Sequence, residues 1–562
     1  MCGIWALIEL HKKNKTSLYY DNFIQLKHRG PDMSSFNSFG CNNNVHIGFH
    51  RLAILDQHYH ANQPYILEDG NRTIVFVCNG EIYNYDELIK NHELDIKTAS
   101  DCLTIPKLYI KYTKQDILDD GYHKGLATFL KLFYREIKGE FAFNLFEFDK
   151  YNKLTNLVIG RDQIGVRPLY WTPFKQDIKI IATSSEAKGL REDIVEHIDE
   201  FEPGNIVFIG FDDFGNPSLN TTFDFKTVYQ VSDKLEVDIL TLVKQSVINS
   251  VKRRLNADAP IAFLLSGGVD SSLVCGISSK ILSKPIRTFC CGMEGSTDLI
   301  AARKVAEHIG SIHTEVIFTP QEGLSYIRDV IRTIESWDTT TVRASVGQYI
   351  ACKNIGEKTD CKVVMVGEGP DEVCSSYLFN YYAPNGKDLD SASKEYVNET
   401  HRYDVKRADR CISRWGLEGR VAFLDPEFIE TYWKIDSEKR HPKYKNMEKW
   451  WLRKAFENDN IIPNEILWRK KEAFSDGVSS KEKSWFQYIQ DYINEIVSDE
   501  EFKINPLGPS KEAHYYKKVF IELFGESRSG LIKHYWQPKW DASGNVVKDY
   551  IDPSARTLKV YN

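Results

Sequence analysis

LLSGGVDSS (264–272) is the stretch that decides the fold of the C-terminal half of this chain. A short buried-strand pattern, IAFLL (261–265), leads into it, and a helical pattern, SSLVCGISSKIL (271–282), follows. The paired glycines allow a tight turn and a close approach of the backbone to a ligand. Because backbone N–H groups and the positive end of the helix dipole face the turn, this order predicts an anion-binding loop.

The side chains of this loop indicate which anion it binds. It is not the common GxxxxGK[ST] phosphate loop, because it lacks the lysine and the required spacing. Asp270 inside an anion site favours Mg²⁺ held against phosphate oxygens. The alternative is a plain glycine turn that opens a helix. Such a turn does not require the four polar side chains present here, which are Ser266, Asp270, Ser271 and Ser272.

Two patterns divide the rest of the chain. KVVMVGEG (362–369) repeats the strand-then-glycine pattern and VDILTLVKQSVINSVKRRL (237–255) has helical spacing, so the C-terminal half is predicted to be a parallel sheet with crossover helices. About the first 190 residues are β-rich, with short apolar or alternating runs such as TIVFVCNG (73–80). DFGNPSLNTTFDF (213–225) is rich in turn residues and is predicted to be a linker.

The composition describes an ordinary globular protein with more than one domain. The chain has 562 residues, too many for one core, with 42% hydrophobic and 27% charged. A net charge of -7 gives no reason to expect nucleic acid or an anionic membrane as a partner. Eleven cysteines without a CxxC pair indicate a reducing compartment. With no signal peptide or membrane-spanning run apparent, we expect a cytoplasmic location.

A cysteine follows the initiator methionine in MCGIWAL (1–7). Removal of Met1 leaves Cys2 with a thiol and a free α-amine, whose ordinary pKa of about 7.7–8.0 keeps it partly neutral in the cell. That amine can serve as the base for the thiol, which makes Cys2 a candidate nucleophile. The alternative is a cysteine that merely follows the start codon.

The motifs taken together point to one family. SGGVDSS (266–272) matches the pyrophosphatase-type loop of enzymes that cleave ATP between its α- and β-phosphates. Joined to MCGI (1–4), it resembles the glutamine-hydrolysing asparagine synthetases, and the resemblance runs along almost the whole chain. Its other marks are HRGPD (28–32), HRLAILD (50–56), NGEIYN (79–84), SDC (100–102), GRDQIGVRPLY (160–170), SSEAK (184–188), GEGPDE (367–372) and WRKKEAFSDGV (468–478).

The resemblance implies a fold for each half of the chain. Residues 1–205 are expected to form a glutaminase domain, a type 2 glutamine amidotransferase. Its fold is the α+β sandwich (αββα) of the N-terminal-nucleophile hydrolases. Residues 206–235 are expected to be a linker. Residues 236–562 are expected to form an asparagine synthetase domain with the α/β parallel sheet of the ATP-pyrophosphatases.

In the first domain the resemblance implies hydrolysis of glutamine. The Cys2 thiolate attacks the amide carbon, ammonia leaves, and water hydrolyses the thioester. The Asn79 side chain and the Gly80 backbone N–H stabilise the oxyanion. Arg51 suits the α-carboxylate of glutamine, and two acids suit its α-ammonium. The implied glutamine-binding residues are Arg51, Leu52, Ala53, Ile54, Leu55, Asn79, Gly80 and the two acids Glu81 and Asp101.

In the second domain the resemblance implies that the side-chain carboxylate of aspartate attacks the α-phosphate of ATP. Asp270 and Asp371 are expected to hold Mg²⁺, Lys471 to reach the pyrophosphate, and Glu368 to act around adenylate formation and the attack of ammonia. The implied ATP-binding residues are Leu264, Ser266, Gly267, Gly268, Asp270, Ser271, Cys291, Val366, Gly367 and Lys471.

The implied function is ATP-dependent synthesis of L-asparagine from L-aspartate, using ammonia released from L-glutamine. It proceeds through β-aspartyl-AMP and gives AMP, pyrophosphate and L-glutamate. Arg343 and Asp425 are the candidates for binding aspartate. ATP is then a substrate and Mg²⁺ the expected cofactor. The expected partners are these small molecules, without nucleic acid or a membrane, and a homodimer is compatible with the sequence.

The chain departs from the family pattern beside the expected chemistry. The usual SGEGSDEVFGGY reads VGEGPDEVCSSY (366–377), and GRVAFLD (419–425) has Ala422 in place of the usual proline. We expect activity, with altered nucleotide affinity or turnover. Two alternatives stay open. A β-lactam synthetase typically lacks the nucleophile and glutamine pocket that this chain keeps. A non-catalytic regulatory or storage protein has no use for all four of Cys2, Asp270, Glu368 and Lys471.

Overall fold

A computed structural model describes residues 1–10, 16–98, 100–114, 121–174, 178–226, 236–472, 474–480 and 483–554. The chain divides into two compact units. The first consists of Met1–Thr227 with Ala257–Ala259, and the second of Val228–Asn256 with Pro260–Asn562. Within the described ranges, no helix is both long and apolar enough to cross a bilayer.

Two six-stranded antiparallel sheets form the centre of the first unit. The strands are β1 (Gly3–Glu9), β2 (Met33–Phe39), β3 (Val45–Arg51), β4 (Tyr65–Asp69), β5 (Arg72–Ile82), β6 (Gly139–Asp149), β7 (Leu154–Arg161), β8 (Tyr170–Trp171), β9 (Ile180–Ser184), β10 (Asp199–Glu200), β11 (Asn205–Phe211) and β12 (Pro217–Asp224). The orders are β10-β8-β9-β1-β3-β2 and β12-β11-β7-β6-β5-β4. The helices are α1 (Thr16–Phe23), α2 (Tyr85–Asn91), α3 (Thr104–Tyr112) and α4 (Gly121–Arg135).

Apolar side chains hold these layers together. Ile4 of β1 and Val75 of β5 belong to one buried cluster between the two sheets. Phe129 of α4 packs in a second cluster on the far face of β5 and β6. On the far face of the other sheet, Tyr19 of α1 contacts Trp5, with 6.4 Å between ring centroids. Because β5 and β6 are covered on both faces, their sequences are almost continuously apolar. The predicted αββα sandwich is confirmed.

The predicted linker differs from the structure. Within DFGNPSLNTTFDF (213–225), residues 217–224 form β12, which pairs with β11, and β11 in turn pairs with β7. Turn residues that suggested a linker therefore make a hairpin at the edge of a sheet. The interpretation of 213–225 as a linker was wrong, because the first unit continues past residue 205. Residues 227–235 lie outside the described residues.

A five-stranded parallel sheet forms the centre of the second unit, in the order β15-β14-β13-β16-β17. The strands are β13 (Ile261–Leu264), β14 (Arg287–Gly292), β15 (Ile312–Ile317), β16 (Val363–Val366) and β17 (Glu418–Val421). The helices are α5 (Glu236–Arg254), α6 (Val269–Leu282), α7 (Thr297–Ile309), α8 (Pro320–Ser325), α9 (Ile327–Ile334), α10 (Thr339–Lys358), α11 (Pro370–Val373), α12 (Gly386–Glu399), α13 (Asp404–Ser413), α14 (Pro426–Trp433), α15 (Ser437–Arg440), α16 (Trp450–Phe456), α17 (Asn464–Leu467), α18 (Phe474–Gly477), α19 (Trp485–Ile496), α20 (Asp499–Ile504) and α21 (Lys511–Phe524). The predicted parallel sheet with helices between its strands is confirmed.

The turn after β13 requires glycine for a steric reason. Gly267 has a φ of 71°, and a Cβ at this position would lie 2.4 Å from the Cβ of Ala301. Glycine therefore lets the turn approach α7, and α6 starts immediately afterwards at Val269. The strand, turn and helix predicted from 264–272 are confirmed. The carboxyl ends of β13, β14 and β16 meet at this edge, where ligands bind in open α/β sheets.

Asp162 anchors the GRDQIGVRPLY segment (160–170) of the first unit. Its buried carboxylate accepts hydrogen bonds of 2.7–3.2 Å from five backbone N–H groups, those of Phe141, Ile164, Gly165, Val166 and Arg167. Since buried N–H groups need partners, one side chain determines the path of the loop after β7.

We expect Asp162→Ala to lower the free energy of unfolding by about 3 kcal/mol or more, because it leaves several buried donors unpaired. Asp162→Asn should fall between this variant and the parent, because its NH₂ group cannot accept hydrogen bonds. Urea denaturation measures both changes. Asp213→Ala, at an exposed acid, is the matched control and should stay within about 0.5 kcal/mol of the parent. Equal stability of Asp162→Ala and the parent would contradict the anchoring role.

Candidate functional site

A cavity of about 160 Å³ lies in the second unit, at the carboxyl ends of β13, β14 and β16. Ten of the residues predicted to bind ATP, hold Mg²⁺ or act in catalysis line it. They are Leu264, Ser266, Gly268, Asp270, Ser271, Cys291, Gly367, Glu368, Asp371 and Lys471. Two further predicted ATP-binding residues, Gly267 and Val366, are not among the lining residues. Val366 is buried as the last residue of β16.

Hydroxyl groups form hydrogen bonds within the turn at the N-terminus of α6. The Ser271 hydroxyl oxygen accepts the backbone N–H of Ser266 at 3.1 Å and lies 3.0 Å from the Ser266 hydroxyl. Gly268 donates its backbone N–H to the Ser266 hydroxyl at 3.4 Å. These contacts fix the backbone of residues 266–271. The first turn of α6 lines the cavity. The arrangement suits an anion such as a phosphate.

Four charged side chains meet on one wall of this cavity. The Lys449 ammonium lies between Asp270 and Asp371, 2.6 Å from Asp371 Oδ1, and it also pairs with Asp270 Oδ2. Lys471 pairs with Asp371 Oδ2. Burial alone would raise the pKa of Asp371, but the two lysines outweigh burial and hold this pKa well below its ordinary value. Burial alone would lower the pKa of Lys449, but the two carboxylates outweigh it and hold this pKa above its ordinary value.

The two lysines come from separate segments that one acid connects. Glu448 accepts the backbone N–H of Lys471 at 3.0 Å and a side-chain N–H of Arg453 at 2.5 Å. Lys449 follows Glu448 directly, at the start of α16. The position of Lys471 is therefore coupled to that of Lys449 through the backbone of a single residue.

The acids of this wall fit a Mg²⁺ ion. Asp270 Oδ1 is buried and accepts no hydrogen bond, which leaves a carboxylate oxygen free to bind a cation. Mg²⁺ prefers such oxygens and usually takes only one or two carboxylates, together with phosphate oxygens and water. Asp270 and Asp371 supply this number, so the residues fit the ion.

Glu368 lines the same cavity, and two side chains hold its carboxylate. Its Oε1 accepts hydrogen bonds from Gln348 at 2.9 Å and from Arg407 at 3.3 Å. Arg407 in turn donates to Gln348 Oε1 at 2.7 Å. Burial raises the pKa of Glu368, and the neighbouring Arg407 offsets this only in part. A carboxyl group in this environment is suited to exchange protons.

The residues predicted to bind aspartate lie elsewhere. Arg343 does not line the cavity. Its guanidinium is buried and pairs with Glu512 at 2.6 Å and Asp552 at 2.9 Å. Asp425 does not line the cavity either. It caps α14 and pairs with Arg253 and Arg254, both at 2.8 Å. Both charges are engaged in structural ion pairs, and their assignment to aspartate stays a prediction.

In the first unit, Cys2 lies beside the segment that follows β3. Its thiol faces the Leu52 carbonyl oxygen at 3.9 Å, and its own carbonyl accepts a hydrogen bond from Arg29 at 3.1 Å. Leu52, Ala53 and Ile54 are buried, and Leu55 is half-buried. The structure therefore places the predicted nucleophile next to part of the predicted glutamine-binding segment.

Arg51 is turned toward the segment that follows it. Its guanidinium donates to Asn62 Oδ1 at 2.6 Å, to the His58 carbonyl at 3.0 Å and to the Asp56 carbonyl. These contacts hold residues 55–62 in a loop around the guanidinium. A glutamine carboxylate that binds Arg51 has to share the guanidinium with these acceptors.

Asn79 carries the strongest sign of a binding function in the first unit. Its side chain is fully buried, yet neither its amide nitrogen nor its amide oxygen has a hydrogen-bond partner. An unsatisfied buried amide costs about 1–3 kcal/mol, so such a group needs a compensating function. Asp101 accepts the backbone N–H of Ile82 at 2.6 Å. This contact brings it to the same end of β5 as Gly80 and Glu81.

The comparisons agree with this geometry. The asparagine synthase family matches residues 242–394 and 383–544, and the glutamine amidotransferase domain family matches residues 1–202. Proteins named asparagine synthetase [glutamine-hydrolyzing] from Gallus gallus and Bos taurus are each 37% identical to the chain, and the one from Homo sapiens is 36% identical. Each comparison covers 100% of this chain and 99% of the relative. The chain belongs to the asparagine synthase family.

Several polar and charged residues that line the cavity of this family member were not predicted from the sequence. Among them are Lys449, Arg407, Gln348 and Asp298. Asp298 lies 3.6 Å from Arg469, and burial raises its pKa to about 7. Lys449 stands in KYKNMEKWW (443–451), where nothing separates it from the neighbouring surface lysines. Only its burial among acids distinguishes it.

We expect Lys449→Met to lower the free energy of unfolding by about 3 kcal/mol. Asp270 then loses its paired lysine, and Asp371 keeps only its pair with Lys471. ATP-dependent synthesis should be lost at the same time. Chemical denaturation and a product assay measure the two effects. Lys445→Met is the matched control at an exposed lysine and should change neither. A Lys449→Met variant as stable as the parent would contradict the bridging contact.

Proposed function

We propose that this protein makes L-asparagine from L-aspartate and ATP, using ammonia that it releases from L-glutamine. The products are L-asparagine, AMP, pyrophosphate and L-glutamate. The observation that carries the proposal is the cavity of the second unit. It joins a helix-terminal anion loop, two acids that suit Mg²⁺, two lysines and a separately held glutamate. Named relatives of the same family along the whole chain support the same activity over a β-lactam synthetase or a non-catalytic protein.

In the proposed first step, a side-chain carboxylate oxygen of aspartate attacks the α-phosphorus of ATP. The bond from this phosphorus to the bridging oxygen breaks, and pyrophosphate leaves. The Ser266–Ser271 turn and the N-terminus of α6 bind phosphate oxygens, while Lys449 and Lys471 neutralise charge on the leaving pyrophosphate. Mg²⁺, held by Asp270 and Asp371, would add positive charge next to the phosphate oxygens.

In the second step, ammonia attacks the carbonyl carbon of β-aspartyl-AMP, and AMP leaves. The attacking nitrogen must lose a proton to become the neutral amide. We assign Glu368 as the group that accepts this proton, because it lines the same cavity and Gln348 and Arg407 hold its Oε1. Its other carboxylate oxygen is then the one to reach the nitrogen.

The first unit supplies the ammonia. We assign Cys2 as the nucleophile that attacks the glutamine amide and its own freed α-amine as the base. The unpartnered amide of Asn79 is the donor for the oxyanion, together with the Gly80 N–H. Arg51, Glu81 and Asp101 remain the proposed contacts for the two charged ends of glutamine, and residues 52–55 the proposed backbone wall.

We expect the protein to work in the cytoplasm on small molecules. None of the eleven cysteines, all of which lie among the described residues, forms a disulfide, and most are buried, as is usual in a reducing compartment. Assembly as a homodimer, and the absence of nucleic acid as a partner, stay predictions.

The two units should be separable by mutation. Cys2→Ala should lose glutamine hydrolysis and glutamine-dependent synthesis together, because both need the thiol. It should still make asparagine from ammonium, and this rate should rise with pH because only neutral ammonia attacks. Assays of glutamate and asparagine measure both activities. Retention of Met1, checked by mass spectrometry, should mimic the mutation. A Cys2→Ala variant that hydrolyses glutamine at the parent rate would overturn the assignment.

An isotope experiment tests the adenylate. Aspartate labelled with oxygen-18 in its side-chain carboxylate should transfer one label to AMP, because that oxygen stays on phosphorus when ammonia displaces AMP. Incubation with glutamine, ATP and Mg²⁺, followed by mass spectrometry of the products, measures it. Label in orthophosphate, with ADP formed, would indicate an acyl phosphate and contradict the assignment of residues 266–272 and 368.

A further inference from the structure

The segment CSSY (374–377) follows the proposed Mg²⁺ ligand Asp371. Its two serines, Ser375 and Ser376, are both buried. A buried hydroxyl needs a hydrogen-bond partner. The partners of these two hydroxyls show what each serine contributes.

Ser376 contacts Asp371 twice. Its backbone N–H donates to the Asp371 carbonyl oxygen at 2.9 Å, which closes the turn after α11. Its hydroxyl donates to Asp371 Oδ1 at 2.5 Å. A glycine at this position can make the first contact but not the second. The contact to the carboxylate therefore depends on the hydroxyl of Ser376.

Ser375 precedes Ser376 in the same turn, and its hydroxyl bonds to α12. It has a φ of 55°, a conformation that glycine adopts freely and that costs other residues roughly 1–2 kcal/mol. Its hydroxyl donates to the Ser393 hydroxyl of α12 at 3.1 Å, and Ser393 donates to the Glu372 carbonyl oxygen. Ser375 thus adopts a backbone conformation typical of glycine, and its hydroxyl bonds to Ser393 rather than to Asp371.

Three donors from separate segments then determine the orientation of the Asp371 carboxylate. Lys449 and the Ser376 hydroxyl bind Oδ1, and Lys471 binds Oδ2. The two lysines sit on long side chains that must also serve the phosphates. Ser376 has a short side chain and stands only five residues from Asp371 in a buried turn, so its hydroxyl has little freedom to move. We propose that Ser376 is a positioning residue that holds Asp371 in the orientation needed to bind the divalent cation with ATP.

This inference rests on the proposed function and adds a specific determinant of its cation site. A carboxylate that is held in place before the ion arrives loses less freedom on binding. Removal of the hydroxyl should therefore raise the cation concentration needed for half-saturation, and should affect this quantity more than the turnover at saturating cation.

The test measures Mn²⁺ binding by electron paramagnetic resonance, with α,β-methylene-ATP as a nucleotide that cannot be cleaved between its α- and β-phosphates. We expect Ser376→Ala and Ser376→Gly each to raise the half-saturating Mn²⁺ concentration by about tenfold, the effect of losing one hydrogen bond to a charged group. Ser375→Gly is the matched control. It removes the neighbouring hydroxyl, which does not touch Asp371, and should stay within about twofold of the parent.

Thermal unfolding of all three variants shows whether each is folded, and the two Ser376 variants give independent readings if one is unstable. Folded Ser376 variants that bind Mn²⁺ as tightly as the parent would overturn this inference and leave the proposed function intact. Equal weakening in Ser375→Gly would overturn it too, because the turn rather than the hydroxyl would then be responsible. A parent protein that binds no Mn²⁺ with the nucleotide would instead overturn the cation site itself.

Discussion

Lys449 between Asp270 and Asp371 is the contact on which the site in the second unit depends. Two partly buried carboxylates on one cavity wall would repel each other without a cation between them, which favours protonation of one of them. The lysine neutralises both and arrives from a segment almost 180 residues away from Asp270. The start of α6, the start of α11 and the start of α16 are therefore held together by one ammonium group.

This contact also connects the anion-binding loop (264–272) to the rest of its unit. Glu448, the residue before Lys449, accepts the backbone N–H of Lys471. This hydrogen bond ties the segment after α17 to the start of α16. Arg469 of that segment donates to the Gly267 carbonyl at 3.2 Å. Anion loop, acids and lysines thus form one connected network. A divalent cation that binds the two acids would release the two lysines from their ion pairs. The lysines could then bind the phosphates of ATP.

The departures from the family pattern fit this network locally. Pro370 occupies the first turn of α11, where its missing N–H is tolerated because that group has no partner within a helix. Val366 is buried as the last residue of β16. Ala422 is likewise buried, in the short turn after β17. These residues therefore occupy ordinary positions in helix, strand and turn, and the Ser376 hydroxyl contacts Asp371.

Local sequence determined the elements whose residues stand next to each other in the chain. The strand, glycine turn and helix of 264–272, the β-rich first unit and the candidate nucleophile Cys2 all follow from short-range patterns. The prediction of a linker at 213–225 was wrong because it also used only local sequence. Turn residues occur both at strand ends and between domains, and only the pairing of β12 with β11 shows that this segment belongs to a sheet. Tertiary structure alone decided the partners of charged residues. The sequence around Lys449 and Arg343 does not show which acids each one meets. In the structure, Lys449 pairs with the cavity acids and Arg343 is buried against Glu512 and Asp552. The physical reason is that a charge acts over a few ångströms in space, and folding brings together charges that the sequence keeps far apart.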